Sequence, residues 1–226
     1  MGMVRYTREP GRCDFAREEY GGVSFLCGTL YVPGGLPERK ISRRIRKLER
    51  GFLRNGVSCV LLPEGFPYGS GVSLRRPDEL AFWHGIAHRV VLSWLESRGI
   101  APGRACVCLR DVHLSGALRG TAQKLINSVR LLQIDVPGGA GEAYAAQLRR
   151  EYGLPVLPPG ERAGLTVSFC HDDQAQLVFS ADAVCCGGLR ISVPDLAFPE
   201  GFERCMPAAL WQLGRLKPED VRISCR

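Results

Sequence analysis

The sequence predicts an α/β protein built on a mostly parallel, open sheet with helices on both faces. Residues 104–110 (RACVCLR) are an apolar, strand-like run, 115–128 carry a helical pattern, and 129–135 (VRLLQID) return to a strand that ends in an acid. Two strands joined by a helix of that length need a crossover, and crossovers make parallel sheets. The same alternation continues on either side. A helix over 77–98 precedes this unit, and the turn Gly138–Gly139–Ala140–Gly141 opens another helix after it.

The other elements follow in order. Residues 23–32 (VSFLCGTLYV) read as a strand or a piece of a hairpin, closed by Pro33–Gly34–Gly35. Pro37 opens a helix over 37–55 that Gly56 stops, and Ile41, Ile45, Leu48 and Phe52 recur at helical spacing as its buried stripe. Residues 57–63 are a second strand, followed by a long turn over 64–77. Pro77–Asp78–Glu79 starts the next helix, which ends near Arg98 before Gly99. Beyond the central unit the pattern predicts a helix over 141–152 and a short strand, Leu154–Leu157, ahead of Pro158–Pro159–Gly160. Strands over 164–169, 176–180 and 189–193, a short helix Met206–Leu213 and a last strand Val221–Ser224 complete the chain. The stretch Gly99–Gly103 is the expected boundary between an α/β lobe over 1–99 and a second lobe over 100–226, with one continuous domain as the alternative.

Across residues 104–180 the pattern resembles the Rossmann-like superfamily, in a degenerate form. The turn Asp111–Val112–His113–Leu114–Ser115–Gly116 offers one glycine where the G-x-G-x-x-G phosphate fingerprint needs three. The resemblance therefore implies a scaffold and no nicotinamide enzyme, since such sheets host many unrelated functions.

Composition narrows the classes further. At 226 residues, 45% hydrophobic and 23% charged, the chain can bury a full core. No apolar run approaches the roughly 20 residues that span a bilayer. The first twenty residues lack the apolar core of a secretory signal, so a cytoplasmic protein is expected. The ten cysteines contain no C-x-x-C, and several lie in apolar runs, so reduced thiols are expected. Of the net charge of +7, +6 belongs to residues 1–56, which hold 12 Lys/Arg against 6 Asp/Glu.

Five features can carry chemistry. In an open parallel sheet, ligands bind beyond the carboxyl ends of the strands. There the sequence places Asp111 and His113 after one strand, Asp135 at the end of the next, and His171, Asp172 and Asp173 after a third. Parallel neighbours would gather these into a metal-binding or acid–base set, although strands also end in polar residues simply on reaching solvent. Gly138, Gly139 and Gly141 open a helix whose free N–H groups suit a small anionic ligand, or else serve the backbone alone. His84 and His88 lie one helical turn apart, but Gly85 stands where a zinc protease has Glu, so they read as packed core histidines. The helix over 37–55 presents Arg43, Arg44, Lys47 and Arg50 among eight Lys/Arg, a face for phosphates or an acidic protein partner, or a merely solvated one. Finally, Tyr68, Ser70, Arg75 and Arg76 sit on the long turn.

There is no Walker A, G-x-S-x-G or Ser/His/Asp pattern, and no cofactor is implied. Three functions follow. The first is a non-catalytic regulatory or interaction module. The second is an enzyme or nucleotide- or metal-binding protein working at the strand ends. The third is a nucleic-acid-associated protein using the basic helix.

Overall fold

A computed structural model describes residues 1–153, 156–157, 163–194 and 196–225. Its first strands are β1 (Gly2–Thr7), β2 (Phe15–Tyr20) and β3 (Val23–Tyr31), followed by α1 (Glu38–Arg54), β4 (Val60–Leu61) and α2 (Glu79–Ser97). The middle holds β5 (Cys106–Arg110), α3 (Gly116–Leu125), β6 (Leu131–Asp135), α4 (Gly139–Tyr152) and β7 (Val156–Leu157). Then come β8 (Leu165–Ser168), β9 (Leu177–Phe179), β10 (Val184–Cys185), β11 (Leu189–Ser192), α5 (Cys205–Gln212) and β12 (Arg222–Cys225). The α/β class and the mostly parallel sheets are those the sequence predicts. Of the expected strand Leu154–Leu157, only Val156 and Leu157 are described; Leu154 and Pro158–Gly160 lie outside the described residues.

The chain forms two compact units, Met1–Glu79 with Val193–Lys217, and Leu80–Ser192 with Pro218–Arg226. The expected boundary at Gly99–Gly103 therefore falls inside the second unit, in the connection from α2 to β5. Residues 193–217, which the sequence reading assigns to the second lobe, return to the first.

The first unit holds a four-stranded sheet in the order β2-β3-β1-β4. β1 runs parallel to both β3 and β4, while β2 and β3 form an antiparallel hairpin. Gly21 and Gly22 make that hairpin's turn at φ 58 and 69, where other residues are strained. Helix α1 buries its predicted stripe, Ile41, Ile45, Leu48 and Phe52, with Val4, Leu26 and Leu30 of the sheet. Phe52 is fully buried, so truncating it to Ala would cost about 3–5 kcal/mol. The long turn is ordered by the same physics. Phe66 and Tyr68 pack edge-on with Tyr6, and Arg75 bridges back to Cys59.

The second unit holds a six-stranded sheet in the order β10-β9-β8-β5-β6-β7. Counted from β5, this is the doubly wound order 3-2-1-4-5-6, parallel except for β10. The chain reverses direction across the sheet between β5 and β8, so the switch point lies there. Register puts Val107, Leu109, Leu132, Ile134, Leu165 and Val167 on one apolar face. Cys108, Arg110, Gln133, Asp135, Thr166 and Ser168 share the other face. Helix α2 meets Phe179 of β9 through Trp83, and hydrogen bonds tie α2 to α3 (Lys124 Nζ to the Gly85 carbonyl) and α3 to α4 (Tyr144 hydroxyl to the Arg119 carbonyl). Strands β11 and β12 pair separately as an antiparallel ribbon. Among the described residues, no helix is long and apolar enough to cross a membrane.

Candidate functional site

The sequence-predicted site residues fall in two charged regions, the carboxyl edge of the second unit's sheet and the exposed face of α1. At the edge, β8, β5 and β6 are parallel neighbours, so the acids that follow them arrive side by side. The residue that organises them is Arg110, the last of β5. Its Nε donates to Asp135 Oδ2 at 2.7 Å and its Nη1 to Asp172 Oδ2 at 2.8 Å. The carboxylates of Asp135 and Asp172 hold the guanidinium charged well above its usual range. Asp172 in turn lies below the ordinary carboxylate range. Burial pulls it upward, but the Gln174 N–H and Arg110 outweigh that pull.

Asp111 is buried at 4% exposure. Its Oδ1 accepts from the Val112 N–H at 2.8 Å, and its own N–H donates to the Asp135 carbonyl. His113 is exposed in the turn, where its carbonyl accepts from Ser115, and Ser115 caps α3 by accepting from the Leu118 N–H at 3.2 Å. His171 and Asp173 stand 3.7 Å apart in solvent, 65% and 90% exposed. The edge thus holds Asp135 and Asp172 on Arg110, with Asp111 tied to Asp135 through the backbone and His113, His171 and Asp173 exposed in the neighbouring turns. Among the described residues, no three His, Cys, Asp or Glu side chains converge to hold a metal ion.

The glycine turn has backbone reasons for its composition. Gly138 sits at φ 77, ψ −179, a region almost reserved for glycine. A Cβ on Gly141 would meet the Val136 carbonyl oxygen at 2.6 Å, whereas Gly139 faces open space. Two of the three glycines are therefore required by chain path and close packing.

The histidine pair divides. His84 Nε2 lies 3.0 Å from the Phe179 carbonyl oxygen and its ring packs on Phe169, the packed core histidine the sequence suggests. His88 is partly buried, and among the described residues its Nδ1 has no hydrogen-bond partner. Burial, then the charges of Lys124 and Arg89, push it down to about 4.

Helix α1 is the electrostatic opposite of the carboxyl edge. Lys40, Arg43, Arg44, Lys47, Arg50 and Arg54 line one open concavity of about 620 Å³. Among the described residues, no carboxylate lies within 4.0 Å of any Lys or Arg on this helix. Arg44 donates to the Tyr31 carbonyl, and Arg50 Nε to the Arg46 carbonyl at 3.3 Å. Glu49, the acid in the helix interior, is taken by Ser73, whose hydroxyl donates to it at 2.8 Å.

Fold and edge geometry define the class, an α/β protein whose second unit carries a doubly wound sheet. No protein-family model matches the sequence, and no curated protein matches it. Among solved structures the chain is similar to L-tryptophan dehydrogenase from Nostoc punctiforme, at 11% identity and a TM-score of 0.35. The match covers 70% of this chain and 51% of that one, so the chain spans about half the length of that structure.

Proposed function

We propose that this protein is an interaction module that holds a nucleic-acid phosphate backbone on the basic face of α1, with its two sheets as scaffold. The observation that carries the reading is the row of six cations with no ion pair among the described residues. From Lys40 to Arg54 it runs about 21 Å along the helix at 1.5 Å per residue. Guanidinium and ammonium groups left uncompensated along such a line can neutralise successive phosphates and release the cations condensed on a nucleic acid.

The chemistry of the face favours phosphates over a protein partner. Protein interfaces bury an apolar centre, whereas nucleic-acid interfaces are polar and positive. Ile41, Ile45, Leu48 and Phe52 lie in the core, away from the basic row, which leaves Leu53 as the one exposed large apolar side chain on the described helix. At the carboxyl edge, Arg110 already engages Asp135 and Asp172, which supports the reading of that sheet as scaffold.

The test is a titration of the full chain against a generic duplex, a single-stranded RNA and polyglutamate at about 25 mM salt. The reading expects binding to a nucleic acid that is lost by about 200 mM salt. Retention of polyglutamate alone would assign the face to an acidic protein instead. No retention of any polyanion would leave it a solvated helix face. A parallel melting screen with adenine nucleotides and divalent cations examines the carboxyl edge, where a ligand-dependent rise in Tm would favour the enzyme or nucleotide-binding reading.

A further inference from the structure

Strands β1, β3 and β4 run parallel, so their carboxyl ends share one edge of the first unit's sheet. A cavity of about 470 Å³ opens beyond β4. That volume lies within the range of small-molecule sites, and its place at the strand ends is where open parallel sheets bind ligands.

Four charged side chains line the cavity, Arg76 and Arg204 against Glu64 and Glu79. Arg76 is positioned by donating from Nη2 to the Gly69 carbonyl at 2.6 Å. Arg204 Nε stands 4.0 Å from Glu64 Oε1, at the outer limit of an ion pair, with both groups more than half exposed. Such a pair is weak and opens readily to a competing charge. The wall between them carries Cys205, whose Sγ–H donates to the Leu62 carbonyl at 3.5 Å. Burial, then the Glu79 carboxylate, with Glu64 adding to it, push that thiol up to about 12. The two carboxylates therefore bear on one stretch of wall, and the thiol there is no nucleophile.

We propose that this cavity binds a free amino acid, its carboxylate taken by Arg76 and Arg204 and its ammonium by Glu64 and Glu79. A simple anion entering the cavity meets two carboxylates, and a simple cation meets two guanidiniums. A small zwitterion satisfies both sets, and Val60, Leu61 and Phe66 supply apolar wall for a side chain. The site is separate from the basic face of α1, so either reading can fail without the other.

The experiment is a melting screen of the full chain with each of the twenty amino acids at about 20 mM, followed by calorimetry on the strongest. The expected result is a rise in Tm with at least one of them, lost with its N-acetyl and its amide derivatives. Arg204→Gln should weaken that amino acid at least tenfold while leaving the unliganded Tm unchanged, and Glu79→Gln should weaken it likewise with a small fall in Tm from the lost acid in the first turn of α2. Both residues sit at the cavity surface, so neither change disturbs the core. No response to any amino acid overturns the proposal. So does a response that survives both substitutions, or one that the N-acetyl derivative reproduces.

Discussion

Arg110 and the arginines of α1 carry the same charge in opposite circumstances. Arg110 closes the carboxyl edge of the second sheet by engaging two carboxylates from neighbouring strands. The cations of α1 stand in a row and, among the described residues, none has a carboxylate within 4.0 Å. The first arrangement is complete within the chain. The second holds like charges together on one helix face, which repel and destabilise it, and the proposed role has a polyanion from outside relieve that repulsion. A charged side chain is thus interpreted by its partners, and here the partners point to opposite roles.

The largest expected effect breaks the α1 side of the comparison. Replacing Arg43, Lys47 and Arg50 together by Ala should weaken duplex or RNA binding by about a hundredfold at 50 mM salt, with Tm unchanged or slightly raised. Anisotropy titration and a melting curve read the two outcomes. On the sheet side, Gly141→Ala should destabilise by about 1–3 kcal/mol, because its Cβ would press on the Val136 carbonyl. Gly139→Ala should stay within about 0.5 kcal/mol, since nothing lies within 4 Å. Urea unfolding distinguishes these from a ligand role, in which loss of binding would exceed loss of stability.

Arg110→Ala sharpens the same contrast. It leaves Asp135 and Asp172 facing each other and should cost about 1–2 kcal/mol, moderated by the partial exposure of all three groups. Arg43→Ala alone, with no ion pair to lose among the described residues, should leave the urea midpoint in place.

The smallest effect concerns pH. His88 is held below its ordinary value, so the fold favours the neutral ring. Its contribution is fully present above about pH 6.5 and is lost as pH falls from there toward 4. Because the group is only partly buried, about 1 kcal/mol should disappear between pH 7 and pH 5, and His88→Leu should flatten that loss. Asp172, also lowered, loses its stabilising interactions only at still lower pH, below about 3.8.

The parts of the fold that show in the sequence are those whose apolar periodicity is strong. The stripe of α1, the helix 79–97 and the strands on either side of α3 were all legible, with Gly56 and Gly99 at φ 72 and 69 as stops. Strand β1 was not, although it is central to its sheet. GMVRYT is short and has no turn residue before it, and its role depends on pairing with residues 26–31 and 60–61 far along the chain. Strand β2 is a charged edge strand with little apolar signal, but the Gly21–Gly22 pair ahead of an apolar run was a usable hairpin cue. At the carboxyl edge the acids were legible and their organiser was missed. Arg110 lay inside an apolar run, and only the parallel register shows it opposite Asp135. The cavity beyond β4 draws Arg204 and Cys205 from a segment more than a hundred residues away, which no local pattern reveals.

The salt dependence of nucleic-acid binding tests the central claim most directly. For the native chain, the logarithm of the association constant should fall with the logarithm of salt concentration at a slope of about −3 to −5. In the triple variant of Arg43, Lys47 and Arg50 the slope should be shallower by about 3. A slope that the triple substitution leaves unchanged, or an absence of binding at about 25 mM salt, would contradict the assignment of α1 as the docking face.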